Sequence, residues 1–381
     1  MTENIESFRI SIPDSAITDL QQRLAMARWP DAATVDDWSQ GVPLKRLQSL
    51  CEYWQHQYDW RLCEDKVNRY PQFITTIDGL DIHFLHIRSR HANARPMVMT
   101  HGWPGSILEF MEVIEPLTDP TQYGGDEQDA FHLVLPSLPG YGFSGKPSSK
   151  GWGVERVASA WDTLMQRLGY SSYIAQGGDW GSAVTNAIGG LQSSGCQAIH
   201  INMAIAAPTE EDLANLGPRE TSALEGFQFY KEWDSGYSKQ QSTRPQTLGY
   251  ALADSPVGQA AWIYEKLYFW TDNTGTPEDA LGINKVLDEI SWYWLTNTAA
   301  SSARLYWESF NSAFQAQFNS DTPVGVSIFP KEIFRPTEAW VRRKYRNLIY
   351  WNETEKGGHF AAFEQPSIFV DELRKFARTL A

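Results

Sequence analysis

Six short apolar runs constrain the fold of this chain more than any other feature. They are "PMVMTHG", "FHLVLPSLPG", "SYIAQGGD", "AIHINMAIA", "VGVSIFP" and "NLIYWNE", and helical stretches separate most of them. Such runs are too short for helices. They are apolar at successive positions, so both faces of each strand need cover. Strands of that kind alternating with helices indicate a mainly parallel sheet with helices on both faces. Ahead of them "QFITTIDGLDIHFLHIRS" reads as a hairpin turning at "DGL". The expected sheet therefore has eight strands.

The alternation begins near residue 72. Before it, "FRISI" reads as a short alternating strand. "PDSAITDLQQRLAMARW" reads as a helix capped by Asp14 or Ser15, with Ile17, Leu20 and Leu24 on its apolar side. "PLKRLQSLCEYWQHQYDW" is a second helix candidate. Between roughly Pro208 and Thr322 the alternation stops, and an aromatic-rich, mostly helical stretch takes its place, as in "GQAAWIYEKLYFW" and "SSARLYWESFNSAF". Ligands of open α/β sheets bind at the C-terminal strand ends. A helical insertion there would act as a cap. The expected division is an N-terminal meander over 1–71, a core over 72–207 and 323–381, and a cap over 208–322.

A length of 381 residues accommodates one large domain with such an insertion. The net charge of −14 argues against a nucleic-acid partner. Cys51, Cys63 and Cys196 are odd in number and match no metal motif, which favours a reducing, cytoplasmic setting. "MTENIESFRIS" carries no apolar signal core, and no window approaches ~18 uninterrupted apolar residues, so no membrane anchor is expected. Nothing in the sequence calls for a metal or an organic cofactor.

The chemistry is concentrated at the ends of the apolar runs. In "GGDWGSA", Gly177 and Gly181 flank Asp179 at i−2 and i+2. This is the strand–turn–helix elbow that usually presents a serine nucleophile, here with aspartate at its apex. The same residues also fit an aspartate helix cap after a glycine-rich turn. "HGWPGS", His101 to Ser106, follows the strand "MVMT", where a loop of such folds donates a backbone N–H to an oxyanion; Trp103 is the candidate, and Trp180, next to the apex, the second. A tight turn at Pro104-Gly105 accounts for the loop equally well. His359, in "GGHFAAFEQP" after the last strand, is placed to project toward the elbow as a base. A base needs an orienting acid. Glu332 lies just beyond the penultimate strand, whereas Glu353 and Glu355 read as solvated charge.

Oxyanion loop, nucleophile, acid and base thus occur in that order, each after an expected strand. "HGWPGS", "LPSLPGYGFSGKP", "GGDWGS", "STRPQTLGYALADSPVG" and "GGHFAAFEQP" resemble the signatures of α/β-hydrolase-fold epoxide hydrolases of the microsomal and fungal type. "FRISIPDSAITDLQQRLAMARWPD" is similar to that family's N-terminal extension. The resemblance implies an α/β-hydrolase fold and hydrolysis of an apolar epoxide to a diol. Asp179 would be the nucleophile, His359 the base, Glu332 its orienting acid, and Trp103 and Trp180 the oxyanion donors, with no cofactor. It also implies two tyrosine donors on the cap, Tyr237 and Tyr306, which composition and spacing do not single out among sixteen tyrosines.

Two other functions fit part of this pattern. A haloalkane dehalogenase also uses an elbow aspartate, but it needs halide donors where the tyrosine pair stands. A non-catalytic binding protein of the same fold would normally have lost one of these side chains. The natural epoxide, its attacked carbon and the oligomeric state are left open, and a homodimer is compatible with the sequence.

Overall fold

The computed structural model describes residues 4–192, 194–313 and 317–380. Its strands are β1 (Ile5–Phe8), β2 (Gln72–Ile77), β3 (Leu80–Ile87), β4 (Arg95–Thr100), β5 (Phe131–Pro136), β6 (Tyr173–Gly177), β7 (Cys196–Ile201), β8 (Val324–Ile328) and β9 (Leu348–Glu353). They form one sheet in the order β1-β2-β3-β5-β4-β6-β7-β8-β9. From β5 to β9 neighbours pair in parallel, and β1, β2 and β3 add an antiparallel edge.

The expected hairpin and all six apolar runs are strands. The sheet has nine strands rather than eight, because the N-terminal segment supplies β1. That strand ends at Phe8, earlier than "FRISI" suggests. Ile10 and Ile12 continue into the core, but their N–H groups are taken by side chains, Asn68 Oδ1 at 3.0 Å and Glu64 Oε1 at 2.7 Å. Side-chain acceptors thus replace a sheet partner there. The following helix spans Asp14–Ala25 with Pro13 at its N-cap, so neither Asp14 nor Ser15 caps it; Asp14 pairs with Arg61 instead. The second helix candidate is two helices, Leu44–His56 and Trp60–Asn68, the latter capped by Asp59, whose side chain accepts from the Arg61 N–H.

Strand alternation distributes the core. Met97 and Met99 of β4 join the cluster under the C-terminal helix Pro366–Arg378, with Phe369, Leu373 and Phe376. Val98, between them, faces the opposite cluster with Trp161 and Leu164 of the helix Val154–Arg167. Both faces are thereby dry, as the apolar runs require. Between β7 and β8 the chain is helical, from Glu210–Ala214 through Gly236–Thr243 and Pro256–Trp270 to Ala299–Ala313. This inserted cap lies over the strand ends. Among the described residues, no helix is long and apolar enough to cross a membrane.

Candidate active site

Asp179 opens the helix Asp179–Gly190 directly after β6. Its φ of 49° is in the left-handed region, which costs a non-glycine residue about 1–3 kcal/mol. The two flanking glycines make that turn sterically feasible. A Cβ on Gly181 would collide with the Thr100 carbonyl of β4, and one on Gly177 with the Gly181 backbone. Gly178, not Asp179, is the helix N-cap, and no side-chain cap bond forms. The aspartate is therefore not held as a helix cap; its carboxylate turns into the protein, 8 % exposed.

Two strand-end loops converge on it. The Trp103 N–H, three residues past β4, donates to Asp179 Oδ1 at 2.7 Å. His359 Nε2 lies 3.2 Å from Asp179 Oδ2, and His359 Nδ1 lies 2.6 Å from Glu332 Oε1. Glu332 follows β8 and is 1 % exposed; His359 follows β9 and its own N–H donates to the Trp270 carbonyl at 2.8 Å. Burial opposes a charge on His359, but Glu332 and then Asp179 outweigh it, so its pKa stands well above the ordinary value. His101 has a different role. Its Nδ1 bonds the Gly102 carbonyl, its Nε2 accepts from the Leu138 N–H, and burial pushes its pKa down to about 4. It is a neutral strut that holds the loop bearing Trp103.

The cap brings aromatic rings to the other side of Asp179. Tyr237 lies on the helix Gly236–Thr243 and Tyr306 on Ala299–Ala313, with ring centroids 5.8 Å apart. Trp103 stacks on Tyr237 at 5.0 Å, and Trp180 meets Tyr306 edge-on at 4.8 Å. Among the described residues the Tyr237 hydroxyl has a long 3.4 Å contact with Tyr230, and the buried Tyr306 hydroxyl has no hydrogen bond of good geometry, with the Trp180 side chain beside it. Burial, with Tyr230 and Asp179 among the further contributions, raises both phenols well above their ordinary pKa, so they remain proton-bearing donors.

Asp179 lies between two cavities of very different size. On the cap side a chamber of about 1040 Å³ is lined by Asp179, Trp180, Tyr237 and Tyr306. On the sheet side a cavity of about 20 Å³, room for one water, is lined by Asp179, His359, Trp103 and Glu109.

The structure thus brings together all seven residues expected from the sequence. It adds three ionisable groups that sequence reasoning missed. Glu109 borders the small cavity, and burial pushes its pKa up to about 8. Lys266 and Asp234 form an ion pair at 2.6 Å with side chains only 3 % and 6 % exposed. The Lys266 ammonium lies 4.9 Å from the Tyr237 ring centroid, and Asp234 also accepts from Trp270 Nε1 at 2.6 Å. A charge inside an apolar run ("ILEFMEVI", "IYEKLYFW") was the available signal. Among the described residues no cluster of His, Cys, Asp and Glu could hold a metal ion.

Comparison with known proteins gives the family. Residues 5–110 match the family model of the epoxide hydrolase N terminus, and residues 95–248 match that of the alpha/beta hydrolase fold. A relative from Stigmatella aurantiaca is 56% identical over 376 residues, covering 99% of this chain and 85% of that protein. Epoxide hydrolase 1 of Sus scrofa is 36% identical over 402 residues, covering 98% of this chain and 88% of its own. The structure of Aspergillus niger epoxide hydrolase superposes with a TM-score of 0.89 at 32% identity, over 99% of this chain and 97% of the other. This chain is an enzyme of the epoxide hydrolase family, built on the α/β-hydrolase fold.

Proposed function

We propose that the protein hydrolyses an epoxide in two covalent steps, with the carboxylate of Asp179 as nucleophile. The observation that carries this reading is the position of that carboxylate, between two phenol donors on the cap side and a base beside a water-sized cavity on the other. Trp103 holds Oδ1, which leaves Oδ2 to attack an epoxide carbon. A C–O bond of the ring breaks as the ester bond forms. The leaving oxygen takes a proton from Tyr237 or Tyr306, whose hydroxyls have room for such an acceptor.

In the second step, water in the small cavity gives a proton to His359 and attacks the Asp179 carbonyl carbon. The tetrahedral oxyanion faces the Trp103 N–H and, in this scheme, that of Trp180; one such donor is typically worth about 3 kcal/mol. Collapse breaks the bond between the Asp179 carbon and the oxygen now carried by the substrate; that oxygen takes the proton of the new carboxyl and leaves as the diol, and the His359 proton returns to the ionised tyrosine. Glu332 holds the imidazole by its Nδ1. Esterification also removes the Asp179 charge that helps keep His359 protonated. The histidine therefore binds its proton less tightly once the ester exists, when a base is required.

On this reading residues 1–71 are the meander, 72–207 and 323–381 the catalytic core, and 208–322 the cap. The free thiols Cys51, Cys63 and Cys196 support a reducing, cytoplasmic setting. The scheme is tested with His359→Gln and styrene oxide. The variant should still be alkylated but release diol roughly 10²–10⁴-fold more slowly. Its intact mass should rise by one substrate, and peptide mapping should place the adduct on Asp179. A folded, inactive variant without an adduct would rule the two-step scheme out.

A further inference from the structure

The cavity of about 20 Å³ beside Asp179 has room for one water. In the hydrolytic step that water gives one proton to His359 and keeps the other. The retained hydrogen also needs an acceptor, or the water is held at one point only. Few side chains on the cavity wall can serve. Both ring nitrogens of His101 are engaged, by the Gly102 carbonyl and the Leu138 N–H. Thr100 Oγ1 already accepts from Trp161 Nε1 at 3.1 Å, and Asn202 Oδ1 from Gln176 Nε2 at 3.0 Å. The Trp103 side chain offers only a donor. Besides Asp179 and His359 themselves, this leaves the carboxyl of Glu109. The loop is shaped around it. Glu109 sits in the short turn Ile107–Phe110, directly after "HGWPGS". A Cβ on Gly105 would collide with Glu109 Oε1, so glycine there lets the carboxyl pack against the backbone of the Trp103 loop. Burial raises the Glu109 pKa to about 8, with His359 opposing and Asp179 and Glu364 adding to the effect. Near pH 7 the group is therefore mainly a neutral acid, which accepts a hydrogen bond without a further negative charge beside Asp179.

We infer that Glu109 is a further catalytic residue of the ester-hydrolysis step: its carboxyl accepts one hydrogen of the attacking water while His359 accepts the other. This leaves an oxygen lone pair for the Asp179 carbonyl carbon. As the new C–O bond forms, the proton at His359 leaves the water. The hydrogen held at Glu109 stays on the oxygen and becomes the hydroxyl of the new carboxyl. Glu109 itself neither gains nor loses a proton. In the ester the Asp179 anion is gone and His359 is neutral, so their opposed influences on Glu109 fall away together and burial remains. The inference rests on the two-step reading and adds a residue to its second step.

The test compares Glu109→Leu with Glu109→Gln in single-turnover, rapid-quench measurements with styrene oxide at pH 7, which give the alkylation and ester-hydrolysis rates from one sample. Leucine keeps the bulk and loses the acceptor. Glutamine keeps a carbonyl acceptor and, like the acid, carries no charge. Glu109→Leu should alkylate nearly as fast as the wild-type protein but hydrolyse its ester roughly ten- to hundredfold more slowly, as for one hydrogen bond lost from the transition state. Glu109→Gln should recover most of that loss. A purely structural role would not divide the two steps, and partial unfolding lowers the amplitude of both without changing their ratio. Gly105→Ala, which displaces the same carboxyl without removing it, gives a second route to the slow-hydrolysis pattern if the leucine variant does not fold. Ester hydrolysis at the wild-type rate in Glu109→Leu, or in Gly105→Ala in its place, would overturn the inference and leave the two-step reading intact. Hydrolysis as slow in Glu109→Gln as in Glu109→Leu would also overturn it, since the group would then act through its charge. The absence of a trapped ester in Glu109→Leu and His359→Gln alike would defeat the two-step reading, and this inference with it.

Discussion

The two halves of the site are bonded in opposite ways. The sheet-borne half is held by short directed contacts: Trp103 to Asp179 at 2.7 Å, His359 to Asp179 at 3.2 Å and His359 to Glu332 at 2.6 Å fix its side chains, and only Glu332 Oε2 among the atoms of these carboxylates is left without a partner among the described residues. The cap-borne half is held by ring packing, with Tyr237 between Trp103 and Trp270 at 5.0 and 5.1 Å, while the two hydroxyls make only a long contact to Tyr230 and a poorly aligned one to Trp180. A buried hydroxyl without a well-formed hydrogen bond is costly, by up to about 1–3 kcal/mol. An epoxide oxygen is an acceptor without a donor, so it satisfies such a hydroxyl. The sheet half is thus preorganised for the hydrolytic step, and the cap half is incomplete until substrate arrives.

This contrast is broken most severely by removing both cap donors. Tyr237→Phe/Tyr306→Phe should slow alkylation by on the order of 10³–10⁴-fold, and each single change by roughly tenfold, since the remaining phenol still donates. Rapid-quench measurement of the alkyl-enzyme decides this. Alkylation at the wild-type rate in the double variant would remove the tyrosines from the chemistry. On the sheet side, Glu332→Gln should leave alkylation nearly intact and slow ester hydrolysis by about 10²-fold, so the ester accumulates in the steady state. The opposite pattern, slow alkylation with no accumulated ester, would show that Glu332 serves the first step.

A structural test sharpens the same comparison. The cap rests on a buried charge pair, so Lys266→Met should cost about 3–5 kcal/mol in urea unfolding by stranding Asp234. Adding Asp234→Asn should recover most of it, since the amide oxygen can still accept from Trp270. Equal losses in the single and double variants would mean that the pair is not what Lys266 contributes.

Legibility in the sequence follows the same division. The sheet half makes local backbone demands, namely glycines around a positive φ at Asp179 and a loop that turns back at Trp103. Such demands appear as motifs next to recognisable strands. Tyr237 and Tyr306 sit on ordinary helices, where any residue is allowed, so only family resemblance pointed to them. Asp234 and Lys266 were missed because they meet across 32 positions, and Glu109 because its burial beside the small cavity is a tertiary fact. The N-terminal edge strand was misjudged because Asn68 and Glu64 take over the backbone bonds of Ile10 and Ile12.

The smallest expected effect is a change in titration. In the resting protein His359 should titrate well above the ordinary ~6.5 of histidine. Asp179→Asn should lower that pKa, because one of the two anions is gone, as read by NMR of the ring. A folded-state pKa above the unfolded one stabilises the native state fully below ~6.5 and loses that contribution as pH rises through the raised value. Loss of the carboxylate should therefore reduce stability most on the acid side. An unchanged His359 titration would contradict the pairing.

In the proposed covalent mechanism the oxygen added to the substrate comes from Asp179. With enzyme in excess, one turnover in heavy-oxygen water should give unlabelled diol. The label should then be found in the peptide containing "GGDWGS". Over many turnovers the diol should become labelled as solvent oxygen replaces the carboxylate oxygens. Labelled diol in the first turnover, with an unlabelled peptide, would mean direct attack by water and would contradict the account.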